Sequence, residues 1–289
     1  MKPRIGLLRG DPSGIGPEVA AKLLAEPETA VRAEIVVIGD AAPACPPAQA
    51  SRDSGEYSIG TLRSKVAALQ SHMVDALVYA PLNKQSMKLA GLAHEDELHF
   101  FAELFGYTGP VSEINVCGRI WTSRVTSHVP LRAVAGLLTA EKIRDAARLL
   151  HRTVAKSGIA KPRIAVAGLN PHAGEGGLLG AEEIDTIGPA VEKLRSEGLD
   201  VTGPLPADTL FVTARRGDFD GVVTMYHDQG QIAMKLMGFD RGVTVAGGLP
   251  AIITTPAHGT AFDIAGKGVA DPGAMREAFR IACEMTVSR

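Results

Sequence analysis

Three histidines, His128, His172 and His227, are candidates for binding a metal ion, because each directly follows a predicted strand. In a parallel or mixed sheet the carboxyl ends of the strands meet at one edge, where the three imidazoles can come together. Histidine is the commonest ligand of transition metals, and three histidines suit Zn²⁺ or a similar divalent ion. Each histidine taken alone is more typical of a loop held by hydrogen bonds.

His172 lies in the most distinctive stretch of the chain, residues 169–177, with the sequence LNPHAGEGG. An apolar run that predicts a buried parallel strand precedes it. Glycines such as Gly174 and Gly176 let backbone N–H groups approach a ligand closely. A plain strand-to-helix loop explains the glycines but not His172 or Glu175, so the stretch predicts a ligand site.

The composition is that of a globular chain with a sizeable core. The 289 residues are 45% hydrophobic and 21% charged, with a formal net charge of −2, which gives no indication of a nucleic-acid or anionic-membrane partner. Three cysteines without metal-type spacing indicate a reducing compartment. Neither a signal peptide nor an apolar stretch of about 20 residues is found, so we expect a cytoplasmic location.

Predicted strands alternate with helices over most of the chain, which indicates the α/β class with a mostly parallel sheet. A predicted antiparallel hairpin over residues 112–126 breaks the alternation and indicates mixed sheets or two domains. Residues 10–18, GDPSGIGPE, predict a glycine-rich turn between a strand and a helix. Their spacing is not G-x-G-x-x-G, which argues against a metal-independent dehydrogenase of the Rossmann type.

Five motifs together resemble the 4-hydroxythreonine-4-phosphate dehydrogenase family of vitamin B6 biosynthesis, which has terephthalate dihydrodiol dehydrogenases among its relatives. They are residues 10–18, 80–84 (APLNK), 169–177, 206–211 (PADTLF) and 226–230 (YHDQG). The resemblance covers nearly the whole chain. It implies the fold of isocitrate and isopropylmalate dehydrogenases, with two α/β domains and a cleft between them.

We expect the first α/β domain to comprise residues 1–110 and 259–289. The second, residues 111–258, is expected to hold the metal ligands and the dimer interface. The resemblance implies a divalent metal (Zn, Mg, Mn or Co) held by the three histidines, with one ligand from the partner subunit. The active unit is then a homodimer whose subunits share the active site.

The resemblance also implies NAD as cofactor and oxidation of a secondary alcohol β to a carboxylate, followed by loss of CO₂. Lys235 and Asp208 match catalytic positions of the family. Lys235 can anchor an anionic group or relay a proton, although a solvated helix lysine is the plain alternative. The residues expected to bind the cofactor are Gly174, Gly176, Gly247, Gly248, His258, Gly259 and Asp263. Those expected near the substrate are Asn83, Lys84, Glu97, Lys235 and Thr244.

The chain departs from the family pattern where the family binds the substrate phosphate. Glu97 and Leu98 replace a histidine and a threonine, while Thr244 and Ile253 replace an asparagine and an arginine. Phosphate needs donors or cations, and replacing arginine by isoleucine removes up to five donors and a charge. The chain is also shorter than usual around residues 41–55.

We therefore expect a non-phosphorylated β-hydroxy acid as substrate, for example a carboxylated cis-dihydrodiol. The alternative is 4-hydroxythreonine-4-phosphate or a related phosphorylated sugar acid. An alternative of another class is a catalytically silent protein that binds metal and NAD. The presence of all three histidines and of Lys235 disfavours this last alternative.

Overall fold

The computed structural model describes residues 2–37, 43–94 and 96–288. The chain divides into two compact units. The first unit comprises Met1–Val111 and Asp240–Arg289, and the second comprises Ser112–Phe239. In the described part of the chain, every helix is too short or too polar to span a bilayer.

The strands and helices alternate as the sequence predicts. In chain order the strands are β1 (Arg4–Leu8), β2 (Glu34–Val37), β3 (Ala76–Tyr79), β4 (Ser112–Cys117), β5 (Ile120–Arg124), β6 (Ile164–Ala167), β7 (Val201–Leu205), β8 (Gly221–Thr224), β9 (Val243–Gly247) and β10 (Ile252–Pro256). The helices are α1 (Gly16–Ala25), α2 (Pro27–Arg32), α3 (Arg52–Gln70), α4 (Lys84–Leu89), α5 (Glu97–Leu104), α6 (Val134–Leu137), α7 (Ala140–Ala155), α8 (Gly188–Ser196), α9 (Ala207–Arg216), α10 (His227–Gly238) and α11 (Gly273–Val287).

The sheet of the first unit has the strand order β2-β1-β3-β10-β9. Its first four strands are parallel, and β9 runs antiparallel to β10. Because β10 pairs with β3, residues 240–258 belong to the first unit, whereas the expected boundary placed them in the second. The sequence has no linker or change of composition where the chain returns to this sheet. The hydrophobic pattern alone therefore does not show where the second unit ends and the first resumes.

The sheet of the second unit has the order β4-β5-β8-β6-β7. The hairpin of β4 and β5 is antiparallel and the other pairs are parallel, so the predicted mixed arrangement is confirmed. The strand β7 was not predicted, because its Gly-Pro sequence is typical of a turn. Proline is tolerated there because β7 lies at the edge of this unit's sheet.

Each unit has its own apolar core. In the first unit Leu77, Phe100 and Ile253 belong to one buried cluster, and in the second unit Ala165, Val222 and Met234 belong to another. Helix α7 begins at a capping side chain: Thr139 Oγ1 accepts a hydrogen bond from Lys142 N (3.2 Å).

The starts of two helices lie in polar stretches of the sequence. Helix α3 begins at Arg52, where the Ser51 hydroxyl caps it by accepting a hydrogen bond from Ser54 N (3.2 Å). Helix α10 begins at His227. His227 is therefore the first residue of a helix that directly follows a buried strand.

Candidate active site

His128 and His227 lie side by side in the second unit. Their ring centroids are 5.5 Å apart and the ring planes are inclined by 42°. The pairing of β5 with β8 explains this, since it continues past the strand ends: Val125 N donates to Thr224 O (2.9 Å) and Thr126 N to Met225 O (3.1 Å). Two of the three predicted ligands are thus brought together by neighbouring parallel strands.

A cavity of about 490 Å³ opens beside these two histidines. It is lined by Thr126, His128, Val129, Leu131, Val134, Tyr226, His227 and Asp228. The combination of apolar walls with a few convergent polar groups is typical of a small-molecule site.

A carboxylate fixes one ring nitrogen on two of the histidines. Nδ1 of His227 lies 2.6 Å from Asp228 Oδ1, and Nδ1 of His172 lies 2.9 Å from Glu175 Oε2. A carboxylate on Nδ1 holds the hydrogen there and leaves Nε2 to bind a metal, which is the usual arrangement at metal sites.

The third histidine, His172, is not brought to the other two within one chain. Among the residues described, no three or more His, Cys, Asp or Glu side chains lie close enough together to hold a metal ion. His172 lies in the turn Pro171–Gly177, and its side chain is 68% exposed. One chain therefore supplies a pair of histidines and, separately, an exposed third.

His128 and His172 both have a left-handed backbone conformation, each with φ of +50°. Residues other than glycine adopt this conformation rarely, and it is found most often where the surroundings impose it at functional sites. The backbone at two of the three candidate ligands is thus held in an unfavourable conformation.

A buried arginine connects the segment before His128 to helix α10. The Arg124 side chain, which is only 7% exposed, donates from Nε to Ser127 Oγ (2.8 Å) and from Nη1 to Asn115 Oδ1 (2.9 Å), and it pairs with Glu113. Gln231 Nε2 also donates to Asn115 Oδ1 (2.6 Å). This polar network ties both histidine-bearing segments to the β4–β5 hairpin.

The two predicted catalytic residues are both exposed in the second unit. Lys235 lies on α10 about two turns after His227. Asp208 lies in the first turn of α9. The N-cap residue of this helix is Pro206, and no side chain caps the helix.

In the first unit the loops after β1, β3 and β10 meet, because these strands are parallel neighbours. Asp11 N donates to Pro81 O (3.0 Å) and Ile15 N to Thr260 O (3.0 Å). Asn83 Nδ2 donates to Thr260 Oγ1 (3.4 Å). The predicted cofactor loop, residues 258–268, is therefore in contact with the glycine-rich turn of residues 10–16.

The predicted cofactor residues lie in both units. In the first unit His258 and Gly259 begin the loop after β10, Asp263 is exposed within it, and Gly247 ends β9. Gly248 has a packing reason to be glycine, since a Cβ atom there would lie 2.2 Å from Pro110 O.

Two further predicted cofactor residues, Gly174 and Gly176, belong to the His172 turn of the second unit. Both have positive φ. Gly176 has open space where a Cβ atom would stand. Backbone conformation by itself therefore favours glycine at these positions.

Of the predicted substrate residues in the first unit, Asn83 caps α4 by accepting a hydrogen bond from Ser86 N (2.8 Å), and Lys84 is exposed in its first turn. Burial by itself raises the pKa of Asp96, but hydrogen bonds from His99 and the charge of Lys84 outweigh it, so that pKa is lowered. Lys84 thus acts electrostatically on the start of α5.

The remaining residues predicted near the substrate, and the two that replace phosphate-binding residues of the family, differ in how deeply they are buried. Glu97 begins α5 and is partly buried, and Thr244 is partly buried in β9. Leu98 and Ile253, by contrast, are buried in the apolar core of the first unit. Neither can donate a hydrogen bond to a phosphate group.

Sequence reasoning missed the polar residues that support the segments of His128 and His227. They are Asp228, Arg124, Asn115 and Gln231. A signal existed for Asp228, which adjoins His227, and for Gln231, which lies one turn along the same helix. Arg124 and Asn115 act through tertiary contacts that local spacing does not reveal.

The fold places the chain in the α/β class with the fold of the isocitrate dehydrogenases. A solved isocitrate dehydrogenase from Methylococcus capsulatus matches 96% of this chain and 84% of its own, with a TM-score of 0.54 and 17% identity, which shows the fold. The expected fold class is thus confirmed. The family model described as "Pyridoxal phosphate biosynthetic protein PdxA" matches residues 16–282, and the chain belongs to this family.

Relatives over nearly the full length agree with this assignment. A Pseudomonas aeruginosa protein, provisionally named 4-hydroxythreonine-4-phosphate dehydrogenase 2, is 49% identical over 98% of this chain and 97% of its own. D-threonate 4-phosphate dehydrogenase from Cupriavidus necator is 38% identical, with 99% and 98% covered. The prediction that the chain is a dehydrogenase is confirmed.

Two solved structures similar to this chain are named for the two alternative kinds of substrate. A 4-hydroxythreonine-4-phosphate dehydrogenase from Klebsiella pneumoniae has a TM-score of 0.86 and 33% identity, with 99% of this chain and 98% of that chain covered. A terephthalate 1,2-cis-dihydrodiol dehydrogenase from Burkholderia xenovorans has a TM-score of 0.70 and 28% identity, with 98% of each covered. The likeness is thus greater to the protein named for a phosphorylated substrate.

Proposed function

We propose that the chain is an NAD- and divalent-metal-dependent dehydrogenase of a phosphorylated β-hydroxy acid. It oxidises the secondary alcohol β to the carboxylate, and loss of CO₂ follows. The observation that carries this proposal is the pair of His128 and His227, whose rings lie 5.5 Å apart beside a cavity. Family membership supports the reaction type.

The residues present fit a divalent metal ion. Imidazole nitrogens suit zinc and similar transition-metal ions, and the carboxylates of Asp228 and Glu175 hold the Nδ1 side of His227 and His172. His128 and His227 of one chain are two ligands in this proposal. The third is His172 of a second copy, because His172 does not join the other two within one chain.

An exposed apolar surface on the second unit supports a homodimer. Ile232 and Leu236, one turn apart on α10, are 60% and 84% exposed. Large apolar side chains exposed next to one another commonly mark a protein interface. Such an interface on the helix that begins at His227 is compatible with a shared site.

A divalent metal held by His128, His227 and a second copy's His172 would supply polarisation of the substrate's hydroxyl oxygen, and bound NAD would supply the hydride acceptor. The protein itself binds the substrate and moves the proton. Lys235 accepts the proton from the reacting hydroxyl oxygen. Asp208 is the second acid–base group. When the bond to the carboxylate breaks, its electron pair remains on the adjacent carbon, which then takes up a proton.

In the first unit the cofactor is assigned to Gly247 and Gly248 and to the loop of His258, Gly259 and Asp263. Contacts between this loop and the glycine-rich turn of residues 10–16 support the assignment. Parallel α/β sheets commonly bind nucleotides at the carboxyl ends of their strands.

The substrate's phosphate is assigned to Lys84, which is exposed and cationic, with Asn83 beside it. The names of the relatives favour this phosphorylated alternative over the non-phosphorylated acid expected from sequence. The apolar burial of Leu98 and Ile253 means that the phosphate contacts differ from the vitamin B6 pattern. Nothing favours the catalytically silent alternative.

The test is NADH formation with D-threonate 4-phosphate, 4-hydroxythreonine-4-phosphate and unphosphorylated D-threonate. Each is assayed with Mn²⁺ or Zn²⁺ and after chelation. We expect metal-dependent turnover of a phosphorylated acid. Better turnover of the unphosphorylated acid would contradict the phosphate assignment, and turnover that survives complete metal removal would contradict the metal assignment.

A further inference from the structure

The turn that carries His172 is a left-handed helical turn. Consecutive φ values from His172 to Gly176 are +50°, +51°, +83°, +45° and +66°. Three of these five residues are not glycine, and for such residues a left-handed conformation costs about 1–2 kcal/mol each. A run of this kind persists only where neighbouring groups hold it.

Glu183 is the neighbouring group that holds this turn. Its side chain lies at the start of the helical turn Glu183–Ile187 and is 4% exposed. Its Oε1 accepts hydrogen bonds from Leu169 N and Asn170 N, both 2.7 Å. Its Oε2 accepts one from Asn170 Nδ2 (2.9 Å). A buried carboxylate thus binds the residues that lead into His172.

The turn also wraps closely around this carboxylate. A Cβ atom on Gly174 would lie 2.7 Å from Glu183 Oε2 and 3.1 Å from Gly180 O. Gly174 is therefore required for its small size as well as for its positive φ. The turn and the carboxylate form one closely packed arrangement.

We propose that Glu183 is the positioning residue for His172. It fixes the left-handed turn and thereby presents the imidazole in the orientation that a shared metal site needs. Glu183 itself touches neither metal nor substrate. The inference rests on the proposed function, because it takes His172 to be a ligand.

The test measures metal affinity and loop exchange, independently of catalysis. The full-length wild-type protein and the variants Glu183→Ala, Glu183→Gln and Glu192→Ala are titrated with Zn²⁺ in the presence of a competing chelator. Hydrogen–deuterium exchange of residues 169–180 is measured in parallel. Glu192 is the matched control, because it is an exposed glutamate on the neighbouring helix α8.

We expect Glu183→Ala to weaken Zn²⁺ binding by about 10–100-fold, the usual effect of removing a group that orients a ligand, and to speed exchange in residues 169–180. Glu183→Gln should fall between this variant and wild type, because its amide oxygen still accepts from Leu169 N and Asn170 N. Glu192→Ala should match the wild type in both measurements.

Faster exchange with unchanged Zn²⁺ affinity in Glu183→Ala would overturn the inference, since the role would then be structural alone. If that variant does not fold, unchanged affinity and exchange in Glu183→Gln would overturn it equally. Absence of Zn²⁺ binding by the wild type would overturn the proposed function, and this inference with it. If the wild type binds Zn²⁺ and the Glu183 variants bind it with the same affinity, only the inference about Glu183 would be overturned.

Discussion

His128 and His227 follow two neighbouring parallel strands, and their ring centroids lie 5.5 Å apart. Strand β5 leads to the first and strand β8 to the second, so the pairing of these strands fixes their distance. The network around Arg124 then fixes the segments that follow the strands. Changes to this network are expected to act on the site without removing a ligand.

Replacing Arg124 by alanine is expected to destabilise the protein and weaken metal binding together. The change breaks charge-assisted hydrogen bonds to Glu113, Asn115 and Ser127, for a loss of about 1–3 kcal/mol in the free energy of unfolding. Denaturant unfolding and Zn²⁺ titration measure the two effects. Arg52→Ala, which removes an exposed helix pair with Glu56, is the control and should cost under about 0.5 kcal/mol. Equal effects of both variants would contradict the prediction.

Replacing Lys84 by glutamine is expected to raise KM for a phosphorylated acid by at least about tenfold, because one cation–phosphate contact is worth about 1.5–3 kcal/mol. The KM for an unphosphorylated analogue should change little. Steady-state kinetics with the paired substrates measure this difference. Lys88→Gln, on the same short helix, is the matched control. A similar rise in KM for both substrates would refute the assignment of Lys84 to phosphate.

Replacing Leu236 by glutamate is expected to yield a folded monomer with weakened metal affinity. The side chain is 84% exposed in one chain, so the change leaves the core intact while it charges the proposed interface. Sedimentation velocity and Zn²⁺ titration test this expectation. Val31→Glu, at a residue that is 69% exposed on α2 of the first unit, should remain a dimer. If Leu236→Glu sedimented with the mass of a dimer, the interface would lie elsewhere on the protein.

The sequence predicted the alternation of strands and helices and the strand ends that carry the three histidines. These features depend on the local pattern of hydrophobic residues, which can be read directly from the sequence. The contacts of Arg124 and Glu183 could not be predicted, because they join segments that only the tertiary fold brings together. The burial of Ile253 likewise depends on the pairing of β10 with β3, whereas the sequence showed only that an arginine was missing.

Replacing Lys65 by methionine is expected to stabilise the protein near neutral pH. The lysine is fully buried, donates one hydrogen bond to Leu7 O (3.1 Å), and has a pKa lowered by desolvation to about 7. Between the folded pKa near 7 and the unfolded value of about 10.4 the unfolded chain binds more protons, so wild-type stability rises with pH by about 1.4 kcal/mol per unit.

The gain from Lys65→Met should therefore be greatest at pH 7 or just below and should shrink steadily toward pH 10. Thermal or denaturant unfolding across this range measures the gain. Lys22→Met, at a partly exposed lysine paired with Glu18, is the control and should show no such gain. A gain from Lys65→Met that is independent of pH would mean that this amine is not neutral in the folded protein.

The shared metal site is tested most directly by a mixed dimer of His172→Ala and His227→Ala chains, co-expressed with different affinity tags. The first chain supplies His128 and His227, and the second supplies His172, so one of the two sites is complete. We predict about half of the wild-type Zn²⁺ content and NADH formation, while each variant alone has neither. A mixed dimer of His128→Ala and His227→Ala chains should stay inactive. Failure of the first mixed dimer to recover either property would contradict the shared site.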